Sequence, residues 1–536
     1  MKKWFLPILS GIFLVLSYPP FNIKVLPFFA LLPLFFFLSS KDISHQKSFS
    51  AGFLTGFIFF SGIISWIFDL LPLDWIGIEN KAAGFLIIFF FWLLLVLISA
   101  FCFGIFSLAC HFLRRKNSLN ILLVPSLWIL LEYLRCWFFA IITFGKESLF
   151  GPHWTYGNLA YSLAQNSNFR FLAGIGGIYL VSFLIVLINI LIFLLFKKLW
   201  EIRFSIVEKN VKAVLPYFIA VLIIISFIST TYFVSFLRNR NQETQALKVA
   251  VLQTKIPSVF SPTKKMLEGK FQIQNQLLKK TLQFSFIPDI IILPEGSRFF
   301  EYQTSREILN ELFPRKETFI IDSYSTETFY ERKSTAVFYS TQEGFLAYYQ
   351  KLLLAPTGEY FPYIIKIPAQ IVNKKWAEKL ERSKGFKKGS DVTVFSSSNG
   401  WRGSISFCSE PLSSILFRQM AQKNSQIFFN LASLAFSHGS RTLDSQIQAI
   451  LQFRAAENGR YSVRATNYGS SYIIDEKGEI VKKTQDSENQ ILLGEAKLFS
   501  QKTFYTRYGD WVLILAGFLL LTFCFFVLKY KKKIDL

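Results

Sequence analysis

The chain reads as a membrane helical bundle of about eight spans joined to an α/β layer domain. Three observations predict this. Of 536 residues, 52% are hydrophobic and 62 are phenylalanine, which is too apolar for a soluble chain of this length. The apolar excess lies in the first 237 residues and the last 26. Between them sits a polar block, 238–510, where short apolar runs alternate with helical patterns, as in layered α/β folds.

Apolar runs at about 4–20, 25–40, 48–68, 83–112, 119–139, 169–196, 213–237 and 511–530 approach the roughly 20 residues that a bilayer core demands. The second run is short, so the first two are expected to form a tight hairpin around Pro19 and Pro20. The fourth exceeds what a span needs and predicts a tilted or projecting helix. Lys2 and Lys3 before an apolar run resemble a leader, but Pro19-Pro20-Phe21 is a poor cleavage site, so the segment reads as an uncleaved first span.

Orientation follows from the short loops. With Lys2 and Lys3 inside, the inside loops hold Lys41 and Lys47, then Arg114, Arg115 and Lys116, then Lys197, Lys198, Arg203, Lys209 and Lys212. The tail carries Lys529, Lys531, Lys532 and Lys533 on the same side. The expected division is a bundle over 1–237, an external domain over 238–510, and a last span with a basic tail over 511–536. The net charge of +23 is largely topological. No nucleic-acid-binding motif accompanies it, and attraction to anionic phospholipid is the better use of the surplus.

Within the external block, LKVAVLQT (247–254) reads as a strand and 264–284 as a helix. DIIILPE (289–295) is a buried strand. A helix over 303–313 precedes TFIIDSYS (318–325), TAVFYS (335–340) and FLAYYQK (345–351), the last two joined as a hairpin through Gln342-Glu343-Gly344. The polar stretch 372–391 reads as a surface loop or mobile arm. GWRGSISFC (400–408), a helix over 411–424, SQIFFNLAS (425–433), a helix over 443–459, and two strands within GRYSVRATN and SSYIIDEKGEIV complete the series.

Three strand-like runs end in reactive side chains: Glu295, Lys351 and Cys408. A carboxylate, an ammonium and a thiol can perform acyl transfer through a thioester, with the carboxylate as base, the cation stabilising charge and the thiol attacking. Of the five cysteines, 102, 110, 136 and 524 lie in apolar runs, and Cys408 is alone in the external block. That block therefore has no internal disulfide. The four histidines, 45, 111, 153 and 438, form no metal-ligand spacing, and no phosphate loop or G-x-S-x-G is present.

At this point the residues resemble a family. The external block is similar to the carbon–nitrogen hydrolase (nitrilase) superfamily, and the whole chain to bacterial apolipoprotein N-acyltransferases. The resemblance is carried by SGIFLVLSYPPFN (10–22), LEYLRCWFF (131–139), LAGIGGIYLVSFLIVLIN (172–189), K-x-x-L-x-P-x-G-E-Y-x-P (351–362), R-A-x-E-N-G-R-Y-x-V-R-A-T-N-x-G (454–469) and YTRYGDW (505–511). It implies a nitrilase-like α-β-β-α sandwich, with Glu295 as general base, Lys351 as oxyanion stabiliser and Cys408 as nucleophile. Glu359 and Glu410 match two further acidic positions of the site. The chain departs from the family at Ser409, where an aromatic is usual, and at NLASLAF (430–436), where Asn430 matches and Phe436 stands near a missing tryptophan. It also departs in IPSVFSPTKK (256–265) and FGKESLFGPHWTYGN (144–158).

The resemblance implies transfer of an acyl chain from a phospholipid donor to the α-amino group of a diacylglyceryl-cysteine lipoprotein acceptor. It places the chain in a bacterial inner membrane with the external domain in the periplasm. The chemistry needs no metal or dissociable cofactor. Two other readings compete: a membrane-tethered amidase acting on another C–N substrate, and a divergent non-catalytic paralogue that binds lipid or lipoprotein.

Overall fold

The computed structural model describes residues 3–40, 43–113, 120–204 and 215–223 with isolated positions to 230. It then describes 245–259 and 262–532, apart from positions within 282–286, at 303 and 315, within 328–330 and 373–384, and at 486–487. Four helices are long and apolar enough to cross a membrane: His45–Leu70, Lys81–Leu113, Ile121–Ile142 and Ala173–Ile202. Three shorter apolar helices are Phe5–Ser17, Leu26–Leu38 and Trp511–Phe526. The described residues thus establish four span-length helices rather than eight. The run 213–237 lies largely outside them, as do Arg114, Arg115, Lys116, Lys209 and Lys212.

Local chemistry explains the breaks. The first helix stops before Pro19 and Pro20, whose rings cannot continue it, and the chain turns back as expected. The run 169–196 is not one rod: backbone at Gly176 and Gly177 leaves the helical region and kinks it. Small residues allow a close pairing of the helices His45–Leu70 and Lys81–Leu113. A Cβ on Gly52 would lie 2.2 Å from the Phe103 carbonyl oxygen, and one on Gly56 2.7 Å from Phe103 Cβ. This small-xxx-small spacing lets two apolar helices touch along their backbones.

The second half is built on two six-stranded sheets. Strands are β1 (Ala246–Gln253), β2 (Ile290–Ile292), β3 (Phe319–Glu327), β4 (Arg332–Ser340), β5 (Gly344–Gln350), β6 (Phe395–Ser396), β7 (Arg402–Phe407), β8 (Ile427–Ser433), β9 (Tyr461–Asn467), β10 (Tyr472–Ile474), β11 (Ile480–Lys483) and β12 (Gln490–Lys497). One sheet has the order β12-β1-β2-β3-β4-β5 and the other β11-β10-β9-β8-β7-β6. Each has a parallel centre, β1-β2-β3 or β7-β8-β9, with antiparallel strands outside it. The predicted β4–β5 hairpin is present. β12, which the sequence reading did not mark as a strand, closes the edge beside β1.

Period-two alternation makes the layers. Val249, Val251, Ile290, Ile292 and Phe319 belong to the core between the sheets, where Phe319 meets Trp401 at 5.4 Å and Phe338 meets Phe395 at 4.0 Å. Their neighbours Ala250, Leu252, Ile291 and Ile320 pack instead with Leu277, Leu278 and Leu309 of the helices Lys264–Thr281 and Thr304–Leu312. On the second sheet Phe428 meets Phe417 of the helix Ser414–Gln422. The result is an α-β-β-α sandwich.

The outer helix Arg441–Asn458 is buried along nearly its whole length, polar residues included. It lies between the second sheet and the apolar bundle. Gln446 Nε2 donates to the carbonyls of Pro19 (3.1 Å) and Ile63 (2.9 Å), and Arg454 Nη2 donates to the Tyr161 hydroxyl (3.1 Å). Glu457 Oε1 accepts from the Ile178 N–H (3.2 Å).

Candidate active site

Glu295 stands just beyond the C-terminal end of β2. Gly296 turns the chain with φ +70°, a left-handed conformation that disfavours a side chain although a Cβ would have open space there. The turn is clamped by its neighbours. The Gly296 N–H donates to Ser323 Oγ (2.8 Å), Gln274 donates to the Ser297 carbonyl (3.0 Å), and Lys270 donates to the Gly296 carbonyl. Ser297 Oγ donates to the buried Asp322 carboxylate.

Lys351 follows β5, and its N–H still pairs with the Ser334 carbonyl at 3.0 Å. Its side chain is only 3% exposed, and Nζ lies 3.3 Å from Glu295 Oε1 and 3.0 Å from Glu359 Oε1. The other oxygen of Glu359 accepts the Ala355 N–H at 2.7 Å. Part of the stretch expected to be a surface loop or arm is fixed here: the Gly389 N–H donates to the Lys351 carbonyl (2.8 Å) and Phe386 N–H to that of Glu359 (2.8 Å). Backbone hydrogen bonds to these site residues are the reason 386–389 is not a free loop, while much of 373–384 lies outside the described residues.

Cys408 follows β7; its N–H donates to the Leu431 carbonyl (2.9 Å) and its Sγ lies 3.8 Å from the Ser433 carbonyl oxygen. Ser409 Oγ donates to the Leu353 carbonyl at 2.7 Å, tying the cysteine turn to the segment after Lys351. Glu410 makes the same link from inside. Its Oε1 accepts from the Tyr349 hydroxyl (2.5 Å), Leu352 N–H (2.7 Å) and Leu353 N–H (3.3 Å), and its Oε2 from the Phe407 N–H (2.6 Å). Glu410 therefore sits behind the reactive groups and joins the two sheets; it pairs with no arginine among the described residues.

The charges act on one another. Burial pushes the Cys408 thiol up to about 11, helped by Glu295 and opposed by Lys351 and Arg464. Burial also raises the Glu295 carboxyl, with Lys351 pulling back and Glu359 adding to the rise. Burial works against the Lys351 charge, but Glu295, Glu359 and Cys408 outweigh it and hold the ammonium well above its ordinary value. Lys351 is thus a fixed cation, and the thiol rests protonated beside a carboxylate of raised basicity. Among the described residues no cluster could hold a metal ion.

Both reactive turns lean on the loop that begins at Thr143, after the helix Asn120–Ile142, and runs through 144–158. Tyr360 donates to the Thr143 carbonyl (2.7 Å), and the Tyr363 N–H donates to that of Phe144 (2.8 Å). Thr155 Oγ1 donates to the Leu412 carbonyl (2.7 Å), and His153 Nδ1 meets Ser413 Oγ at 2.8 Å. His438 ends a short turn at φ +51° and does not enter these contacts. The Phe436 ring lies tilted against that of Trp75 of the bundle, 6.0 Å between centres. Sequence reading missed Tyr349, Lys270 and Arg464. Arg464 lay inside the quoted 454–469 motif, but nothing in its spacing told its role.

Each half of the chain matches a family model. Residues 10–191 match the family model described as the apolipoprotein N-acyltransferase N-terminal domain, and 288–500 match carbon–nitrogen hydrolase. An apolipoprotein N-acyltransferase of Geobacter metallireducens is 27% identical over 95% of this chain and 92% of its own length. One from Aquifex aeolicus is 25% identical over 91% and 97%. Among solved structures, an amidase from Nesterenkonia sp. aligns at 15% identity and TM-score 0.37, covering 50% of this chain and 94% of its own. With both halves matched in order and relatives aligned along nearly its whole length, the chain belongs to the apolipoprotein N-acyltransferase family, membrane acyltransferases with a carbon–nitrogen hydrolase domain.

Proposed function

We propose that this chain moves an acyl chain from a phospholipid to the α-amino group of the N-terminal diacylglyceryl-cysteine of a lipoprotein, through a thioester on Cys408. The observation that carries the reading is the Lys351 ammonium, held 3.3 Å from Glu295 and 3.0 Å from Glu359 at strand ends that rest on a bundle loop. Glu295 takes the thiol proton as Sγ bonds to the ester carbonyl carbon. Lys351 stabilises the oxyanion of the tetrahedral intermediate. Its collapse breaks the ester C–O bond, and Glu295 returns the proton to the leaving lysophospholipid oxygen. The acceptor amine then attacks the thioester carbonyl, losing a proton to Glu295. The C–S bond breaks, and that proton restores the thiol. Two substrates in turn on one nucleophile give ping-pong kinetics. Glu359 fixes Lys351, and Glu410 keeps the two turns in register.

In the same reading the chain has about eight spans in a bacterial inner membrane. Residues 238–510 work on the periplasmic side, and 511–536 return the chain to the cytoplasm. Contact of both reactive turns with the bundle lets lipid tails stay in the bilayer while head groups reach Cys408. The test incubates purified protein with a phospholipid carrying a labelled acyl chain and a diacylglyceryl-cysteine peptide. Label on the peptide amine supports the reading. Release of free fatty acid alone, or turnover only of small amides, supports a tethered hydrolase instead; no adduct and no turnover supports a binding paralogue.

A further inference from the structure

Ser406 on β7, Asn430 on β8, Arg464 on β9 and Tyr472 on β10 lie side by side across the second sheet, in register. All four are fully buried. Asn430 Nδ2 donates to Ser406 Oγ (3.1 Å), two residues before Cys408, and Asn430 Oδ1 accepts from Arg464 Nη1 (2.5 Å). Arg464 Nε donates to Thr466 Oγ1 (3.0 Å), and its guanidinium lies 5.8 Å from the Tyr472 ring centre. Its Nη2 has no hydrogen-bond partner among the described residues. No carboxylate there lies within ion-pair distance of Arg464, in contrast to Arg454, which Glu457 meets at 3.0 Å.

A buried guanidinium held only by neutral acceptors keeps its field. That is costly unless other charges use it. Several charged or titratable groups surround it. Glu295 and Cys408 both feel Arg464, as does Asp444 on the helix Arg441–Asn458, whose Oδ1 is also without a partner. Cys408 additionally feels Glu295 and Lys351 from the first sheet, and Tyr472 feels Cys408 and Asp444.

We propose that Arg464 is a positioning residue that supplies a second fixed positive charge to Cys408 from its own sheet, opposite Lys351 on the other. The thiolate that forms as Glu295 takes the proton is then stabilised from both sheets, and Asn430 sets the distance by holding the guanidinium against the strand that carries the cysteine. The inference rests on Cys408 being the nucleophile.

The test follows iodoacetamide alkylation of Cys408 against pH, by peptide mass spectrometry, in full-length protein with Cys102, Cys110, Cys136 and Cys524 replaced. Loss of the charge in Arg464→Gln should slow alkylation at neutral pH by about tenfold and move the profile up by roughly one pH unit. Arg464→Lys should recover most of the rate. Asn430→Asp keeps the arginine but neutralises it, and should reproduce Arg464→Gln; it also serves if the glutamine variant does not fold. An unchanged profile in folded Arg464→Gln or Asn430→Asp, or a lysine variant as slow as the glutamine one, would make Arg464 a packing residue. Acyl transfer surviving in Cys408→Ala would instead remove the underlying reading, whatever the arginine variants show.

Discussion

Replacing Glu410 by glutamine separates two roles open to a buried acid beside the proposed nucleophile. In the structure one carboxylate oxygen takes three donors and the other takes one. Glutamine can serve one side only. Its amide nitrogen must then face an N–H, most directly that of Phe407, leaving a buried backbone donor and the new amide unsatisfied. At roughly 1–3 kcal/mol for each of the two orphaned buried groups, the loss is about 2–6 kcal/mol. At roughly 2–4 °C per kcal/mol for a domain of this size, Tm falls by about 4–24 °C. Besides the Tyr349 hydroxyl, the donors are the N–H groups of Leu352 and Leu353, just after Lys351, and of Phe407, just before Cys408. The variant should therefore loosen both reactive turns and reduce acylation itself. The assays are thermal unfolding in detergent by tryptophan fluorescence and intact mass after exposure to phospholipid. An unchanged Tm with thioester accumulating to the wild-type level would refute the argument and make Glu410 a residue of the acceptor step.

Three further outcomes follow from the same geometry. Because burial raises the Glu295 carboxyl, acylation should fall on the acid side at a pH above the ordinary carboxylate range near 4.3, and the limb should vanish with the residual activity of Glu295→Gln; a pH–rate profile checks this. Gln446→Ala orphans the Pro19 carbonyl and leaves that of Ile63 to the Tyr156 hydroxyl (3.0 Å), and should cost about 1–3 kcal/mol, read as earlier proteolysis at the seam between bundle and sandwich; an unchanged digestion midpoint contradicts the docking role. Gln342→Cys, in the exposed β4–β5 turn, should react in intact spheroplasts with a membrane-impermeant maleimide, whereas a reporter fused after the chain should read as cytoplasmic; the reverse pattern would invert the proposed topology.

The parts visible in the sequence were those governed by local periodicity. β2, the β4–β5 hairpin and β7 could be read because apolar runs end at Glu295, Lys351 and Cys408. The long apolar helices could be read because bilayer thickness sets their length. What escaped depended on tertiary contact. The helix Arg441–Asn458 has glutamines, an arginine and a glutamate that suit a solvated face; in the fold that face is the seam with the bundle, where those groups bond to Pro19, Ile63, Tyr161 and Ile178. Residues 386–389 are polar, yet their N–H groups complete the strand end at Lys351. Ser409 stands where the resemblance implies an aromatic, and only the structure gives its hydroxyl a use, at the Leu353 carbonyl. Arg464 is separated from Cys408 by 56 positions and reaches the site only because β7, β8 and β9 pair in parallel register.

The central claim is a thioester on Cys408, and intact-protein mass spectrometry tests it most directly. Purified protein incubated with phospholipid alone should gain the mass of one acyl chain, located on the Cys408 peptide and released by neutral hydroxylamine. Addition of a diacylglyceryl-cysteine peptide should discharge it onto the peptide amine, and Cys408→Ala should gain no mass and make no product. An acyl group on another residue, or product formed by Cys408→Ala, would contradict the account.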